Sequence, residues 1–182
     1  MASHHTSPGA CCGCTARAPA PAPVDGRFSL VDHFGQPVTE RSWGGRHLLV
    51  FFGFTHCAVV CPRELAKISA VLVQLGEGAR RIQPLYITVD PERDTAVRLR
   101  SYLDASAPAF IGLTGSPAAI EDVKRRFRVF ARKQEDAQAP GGYVVPHTAF
   151  AYLLGPDGAY VAHFSDALSA PELAERLSQQ LG

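Results

Sequence analysis

Cys57 and Cys61 sit in the segment FFGFTHCAVVCPREL, with three residues between them and Pro62 immediately after the second. Two thiols at this spacing can close a disulfide or share a soft metal ion. As free cysteines they would be inert, small buried hydrophobes. The neighbouring residues favour chemistry. Proline is preferred at the first helical position, so Pro62 predicts a helix with Cys61 as its N-cap. Unpaired backbone N–H groups and the helix dipole would then stabilise a Cys61 thiolate, making it the better nucleophile and metal ligand. Cys57, about one turn earlier in irregular chain, could swing its sulfur toward it.

The elements that position the pair are plain in the pattern. Leu48 to Phe52 is a continuous apolar run, which reads as a strand buried on both faces. Gly53 and Thr55 break it. After Pro62, Leu65, Ile68, Leu72 and Leu75 recur at helical spacing and predict one apolar face packed on the sheet. The thiols therefore fall in the turn between a buried strand and a helix.

A second group of thiols, Cys11, Cys12 and Cys14, lies near the start with His4 and His5 upstream. Three thiols in so short a span could hold Cu(I) or zinc, or form an oxidisable tail without a role. Residues 1–26 end in the Ala/Pro tract ARAPAPAPVDG and read as a disordered tail and semi-rigid linker, leaving residues 27–182 as one domain. Gly9-Ala10-Cys11 faintly suggests a lipoprotein cleavage site, but no hydrophobic segment precedes it. The 182 residues are 46% hydrophobic and 19% charged with net charge +1, as in a soluble globular protein with nothing directed at nucleic acid. The single methionine excludes a methionine-rich copper tract. No run approaches the ~18 apolar residues that span a bilayer, so the sequence as it stands predicts a cytoplasmic protein.

Around this centre, Phe28 to Val38 reads as an N-terminal β-hairpin about Phe34-Gly35-Gln36-Pro37, with His33 at the surface. Ile82 to Val89 is a second strand, and Asp94 is the expected N-cap of a helix through Leu103. Phe110 to Leu113 is a short strand or connector. A helix from Ser116-Pro117 buries Ile120, Val123, Phe127 and Phe130, leaving Lys124, Arg125, Arg126 and Arg128 as a solvated face or a docking patch for an acidic partner. Ala131 to Tyr143 is a polar surface loop leading to His147 and to a strand from Thr148 to Leu154. Pro156-Asp157-Gly158 turns into a last strand, Ala159 to Phe164. Ser169 and Glu172 form a capping box for a helix that turns Leu173, Leu177 and Leu181 inward. The order predicts an α/β sandwich about a mixed central sheet flanked by helices, and the cysteine pair after its first long strand makes it thioredoxin-like.

Three blocks in order, FFGFTHCAVVCPREL, YITVDPERDT and PHTAFAYLLGPDGAYVAHF, closely resemble the Sco (SenC) family of copper chaperones, over roughly Phe28 to Leu181. The resemblance implies a thioredoxin-like domain that binds copper through Cys57, Cys61 and His147, with Asp90 near the metal site. It further implies assistance in assembling the copper centre of cytochrome c oxidase, through a copper-receiving partner such as an oxidase subunit, together with thiol-disulfide activity. Two thiolates and an imidazole independently suit Cu(I) and can hold Cu(II). His56 and His163 are nearby histidines, but His147 alone matches the family position.

The chain departs from the family pattern where Ala58-Val59-Val60 replaces the usual Pro-Asp-Val, and where Pro146 replaces an acidic residue before the histidine. Both changes make the site less negative, which bears on metal affinity and docking. In the sequence as it stands, no segment reads as the family's membrane anchor. With an upstream segment, the resemblance would place the protein in the periplasm or anchored to the membrane facing it. The competing function is a thiol-disulfide oxidoreductase that reduces a partner's cysteines, which needs Cys57 and Cys61 but not His147. A peroxiredoxin-like peroxidase is disfavoured, because Thr55 precedes Cys57 by two residues rather than three.

Overall fold

The computed structural model describes residues 24–182. The expectations for Cys11, Cys12, Cys14, His4, His5 and the Ala/Pro tract up to Pro23 lie outside the described residues. The hairpin expected first is β1 (Ser29–Asp32) and β2 (Pro37–Thr39). The long apolar run is β3 (His47–Gly53), buried at every position. α1 (Val60–Leu75) follows, then β4 (Ile82–Thr88), α2 (Ala96–Ser106), β5 (Ile111–Thr114) and α3 (Pro117–Phe127). A small separate hairpin, β6 (Gln134–Glu135) and β7 (Tyr143–Val144), precedes β8 (Phe150–Leu154), β9 (Tyr160–Ser165) and α4 (Ala170–Leu181).

The main sheet runs β2-β1-β5-β4-β3-β8-β9. β3, β4 and β5 are parallel, and the outer strands are antiparallel. Side chains alternate across a strand, so β3 feeds two cores. Leu49 and Phe51 join α1, α2 and α4 on one face, while Leu48, Val50 and Phe52 join α3 and the first hairpin on the other. This double burial is why β3 reads as an unbroken apolar run. The result is the thioredoxin-like α/β sandwich the sequence predicts, with Cys57 in the turn at the C-terminal end of β3. The Ser169–Glu172 capping box forms as expected.

Several boundaries differ from expectation, each for a local reason. The N-cap of α1 is Val59, so Cys61 is the second helical residue and Pro62 the third. Proline fits there because N–H groups of the first turn have no intrahelical partner. Thr95, not Asp94, caps α2, accepting a hydrogen bond from the Arg98 N–H at 3.2 Å. Helix α3 stops at Phe127, where Arg128 takes the left-handed conformation at φ 57°. Val129 turns into the core, and Phe130 is left 66% exposed. Lys124 is buried with its ammonium on Glu121, while Arg126 pairs with Asp122 and Asp25, so the basic face is largely paired within the chain. His33, expected at the surface, is buried against β5, where its Nδ1 accepts from the Gly112 N–H at 3.3 Å.

Candidate metal centre

The turn from Phe54 to Val59 is built around Cys57. Its N–H donates to the Phe54 carbonyl at 3.1 Å, closing the turn. One layer below, the buried Asp94 carboxylate fixes the approach to it. Asp94 accepts from the Thr55 N–H at 3.0 Å, the Thr55 hydroxyl at 2.6 Å and the Thr88 hydroxyl at 2.7 Å. Burial pushes the Asp94 carboxyl up, against the pull of these bonds. His56 lies beside this network, with Nδ1 3.2 Å from Thr55 Oγ1.

The two thiols are unlike. Cys57 is half-buried and its sulfur faces the start of α1, accepting from the Cys61 N–H at 3.4 Å. The Cys61 S–H also donates to it, and the Val59 and Val60 N–H groups add to this stabilisation. Together they hold the Cys57 thiol at about 5, well below the usual thiol range. Cys61 is fully buried, and its thiol is pushed far up, first by donating to Cys57 and then by burial. The sequence-based assignment is therefore reversed: the helix N-terminus stabilises a thiolate on Cys57, not on Cys61. The cause is the two-residue shift of the cap, which carries Cys61 into the helix and against the core.

His147 and this turn line one cavity of about 580 Å³. The cavity is walled by Phe54, Cys57, Val59, Val60, Pro140 and Val145, and His147 stands among them. Its ring meets Phe54 edge-on at 5.8 Å between centroids. Nδ1 lies 2.9 Å from the Val145 carbonyl and Nε2 3.1 Å from the Phe52 carbonyl. A neutral imidazole has one N–H, so only one of these contacts can be its hydrogen bond. Among the described residues, no three His, Cys, Asp or Glu side chains are gathered closely enough to hold a metal ion. The fold brings the two sulfurs together and places the imidazole in the same cavity wall.

Asp90 is buried and holds the loop that carries His147. It accepts from the Tyr143 hydroxyl at 2.9 Å and pairs with Arg93 Nε. Arg93 Nη1 in turn donates to the Pro140 carbonyl at 2.7 Å and the Tyr143 carbonyl at 3.2 Å. Its guanidinium sits 3.6 Å from the centre of the Tyr143 ring. Sequence reasoning missed Arg93, Tyr143 and Asp94 as parts of the site. Arg93 and Asp94 lie inside the quoted DPERDT block, so the signal was present without a geometry to read it. His163 lies outside the cavity wall, exposed on β9, with Nδ1 2.6 Å from the Tyr160 hydroxyl.

A family model described as SCO1/SenC matches residues 16–182. The chain belongs to that family. It is 40% identical over 161 residues to the mitochondrial SCO2 homologue of Bos taurus, an alignment covering 86% of this chain and 59% of the bovine protein. Against the mitochondrial SCO1 homologue of Homo sapiens it is 36% identical over 163 residues, covering 87% of this chain and 53% of the human protein. The chain thus spans little more than half of the length of these relatives. The solved structure of ScoI from Bradyrhizobium japonicum with copper bound superposes with a TM-score of 0.77 at 39% identity, covering 86% of this chain and 99% of that one. The two animal relatives are mitochondrial proteins, and among the described residues no helix is long and apolar enough to cross a membrane.

Proposed function

We propose that this protein carries copper as cargo, held by the thiolates of Cys57 and Cys61 with the His147 imidazole as third ligand. It would deliver the ion to a subunit of cytochrome c oxidase while that enzyme's copper centre is assembled. The observation that carries this reading is the shared cavity: a Cys57 sulfur favoured as thiolate, Cys61 behind it, and an imidazole lining the same cavity. Copper-bound family members of the same fold support it.

The donor set fits the ion. Two thiolates suffice for Cu(I), and an added imidazole nitrogen suits Cu(II). If Nδ1–H donates to the Val145 carbonyl, that bond fixes the tautomer and leaves Nε2 as the ligand, the usual arrangement for a ligating histidine. Nε2 must then leave the Phe52 carbonyl and turn toward the sulfurs. The third ligand is therefore engaged by a motion of the loop, which Asp90 holds through Arg93 and Tyr143. Such a ligand can be gained or lost as the oxidation state changes. Cys11, Cys12 and Cys14 form an accessory Cu(I) site on the tail, used for loading.

The test is copper stoichiometry in fully reduced protein. One tight equivalent should be lost in Cys57→Ala and in Cys61→Ala. A second should be lost when Cys11, Cys12 and Cys14 are replaced by serine. Retention of one tight equivalent by the variant lacking all five cysteines would overturn the copper reading.

One observation favours a second reading, thiol-disulfide exchange with a partner. An acidic, half-buried Cys57 backed by a buried Cys61 is the pairing of an attacking thiol with a resolving one. The two readings use the same sulfurs and separate at His147.

A further inference from the structure

Cys61 shares its core cluster with Tyr86. This residue lies in β4, in parallel register with Phe51 of β3, and is fully buried. Its ring reaches beneath the end of β3, so that a Cβ placed on Gly53 would stand 2.4 Å from the Tyr86 hydroxyl oxygen. Glycine at position 53 is what leaves room for the hydroxyl next to the turn. That hydroxyl makes no hydrogen bond among the described residues, and Tyr86 packs in the same core cluster as Cys61. Phenylalanine would fill the same volume without burying an unpartnered hydroxyl, which costs stability. Tyr102 offers an internal comparison: its hydroxyl is also buried without a partner, and its ring centre lies 6.0 Å from that of Tyr86.

We propose that Tyr86 is a positioning residue whose hydroxyl donates to the Cys61 sulfur when that sulfur ligates copper, fixing its orientation and withdrawing electron density from the metal–sulfur bond. This rests on the copper-binding reading above. When Cu(I) enters, Cys61 gives its thiol proton to solvent and the copper–sulfur bond forms. Tyr86 keeps its own proton and turns its O–H onto the sulfur, and no electron is transferred. A hydrogen bond to a ligating sulfur tunes the metal's electronics, as outer partners of metal ligands do. In the metal-free protein the same donor favours the reduced pair, because a thiol or thiolate sulfur accepts a hydrogen bond better than a disulfide sulfur.

The experiment compares the full chain with Tyr86→Phe and Tyr102→Phe in two measurements. The first is the thiolate-to-Cu(II) charge-transfer absorption. The second is the metal-free Cys57–Cys61 dithiol/disulfide equilibrium in a thiol redox buffer. Tyr86→Phe should move the absorption to longer wavelength and shift the equilibrium threefold to tenfold toward the disulfide, tenfold being about 30 mV. Tyr102→Phe should change neither. Wild-type absorption and equilibrium in Tyr86→Phe would overturn the proposal, even if that variant resists urea better. So would equal shifts in Tyr102→Phe. Should the wild type show no charge-transfer absorption and also bind no Cu(I) when reduced, the copper reading fails, and the metal-free equilibrium alone decides on Tyr86.

Discussion

Thr55 and Asp94, 39 residues apart in sequence, are joined by two hydrogen bonds, from the Thr55 N–H and from its hydroxyl, to the two oxygens of one buried carboxylate. Thr88 adds a third donor to the same carboxylate, and the Thr114 hydroxyl donates to the Asp94 backbone carbonyl at 2.9 Å. Asp94 thus ties the ends of β3, β4 and β5 to the turn that presents Cys57.

Asp94→Ala leaves three buried donors without an acceptor. The expected loss of stability is about 2–4 kcal/mol, measured by urea unfolding of the reduced protein. Asp94→Asn can still accept from Thr55 but turns a donor toward another, and should fall between. A loss below about 0.5 kcal/mol in Asp94→Ala would show that the carboxylate does not hold the turn.

Cys57 should titrate near pH 5 and Cys61 should stay protonated through neutrality. Alkylation of the reduced, metal-free protein should modify Cys57 first, with a rate that rises through about pH 5 and then levels. In Cys61→Ala the midpoint should move up, because the S–H bond that contributes most to the depression is gone. The same shift makes stability depend on pH. The unfolded chain binds a proton at Cys57 up to its ordinary value near 9, and the folded chain releases it near 5. Stability from this group is therefore fully present above pH 9 and is lost as pH falls through 5. A rate midpoint in the ordinary thiol range would remove the thiolate from Cys57.

The fold was legible wherever one face of one element decided the outcome. The unbroken run of β3, the helical spacing from Leu65 to Leu75 and the Ser169–Glu172 box each encode local structure, and each forms. The cysteine pair was legible from its spacing, because a turn of a few residues brings the two sulfurs together. Which sulfur is acidic was not legible. That depends on whether the helix begins at Val60 or Pro62, and proline is tolerated throughout the first turn. Aspartate often caps a helix, but Thr55 and Thr88, at the ends of neighbouring strands, draw Asp94 inside. His33 is buried for the same kind of reason, by pairing with a strand almost 80 residues later. Interactions of that range leave no local pattern in the sequence.

Arg93 joins Asp90, Tyr143 and the Pro140 carbonyl in one clamp, so it should govern how firmly the His147 loop is held. Arg93→Ala should raise amide hydrogen exchange across residues 134–147 by tenfold or more. Because Arg93 packs on Tyr143 at the margin of the core, the loss of global stability should be modest, about 1–2 kcal/mol. Cu(II) binding should weaken, while Cu(I) binding, met by the two sulfurs, should hold. Unchanged exchange in this segment would mean that the β6–β7 hairpin alone fixes the loop.

His147 separates the two functions that its neighbours share. If copper is the cargo, the imidazole completes a site that two thiolates leave open, and its removal should hurt Cu(II) most. Cu(II) favours nitrogen donors and higher coordination, whereas Cu(I) tolerates two sulfurs. Removing the hydrogen-bond partner of a ligating histidine typically costs about 10–100-fold in affinity, so removing the ligand itself should cost at least that much for Cu(II). Disulfide exchange depends on thiolate character and access, and both are set at the start of α1 by the backbone and Cys61. His147→Ala should therefore leave exchange with a small disulfide within about twofold of wild type while changing the thiolate-to-Cu(II) absorption. An unchanged copper spectrum would take His147 out of the site and favour the reductase reading. A large change in the metal-free dithiol/disulfide equilibrium would instead show that the imidazole acts on the thiols directly.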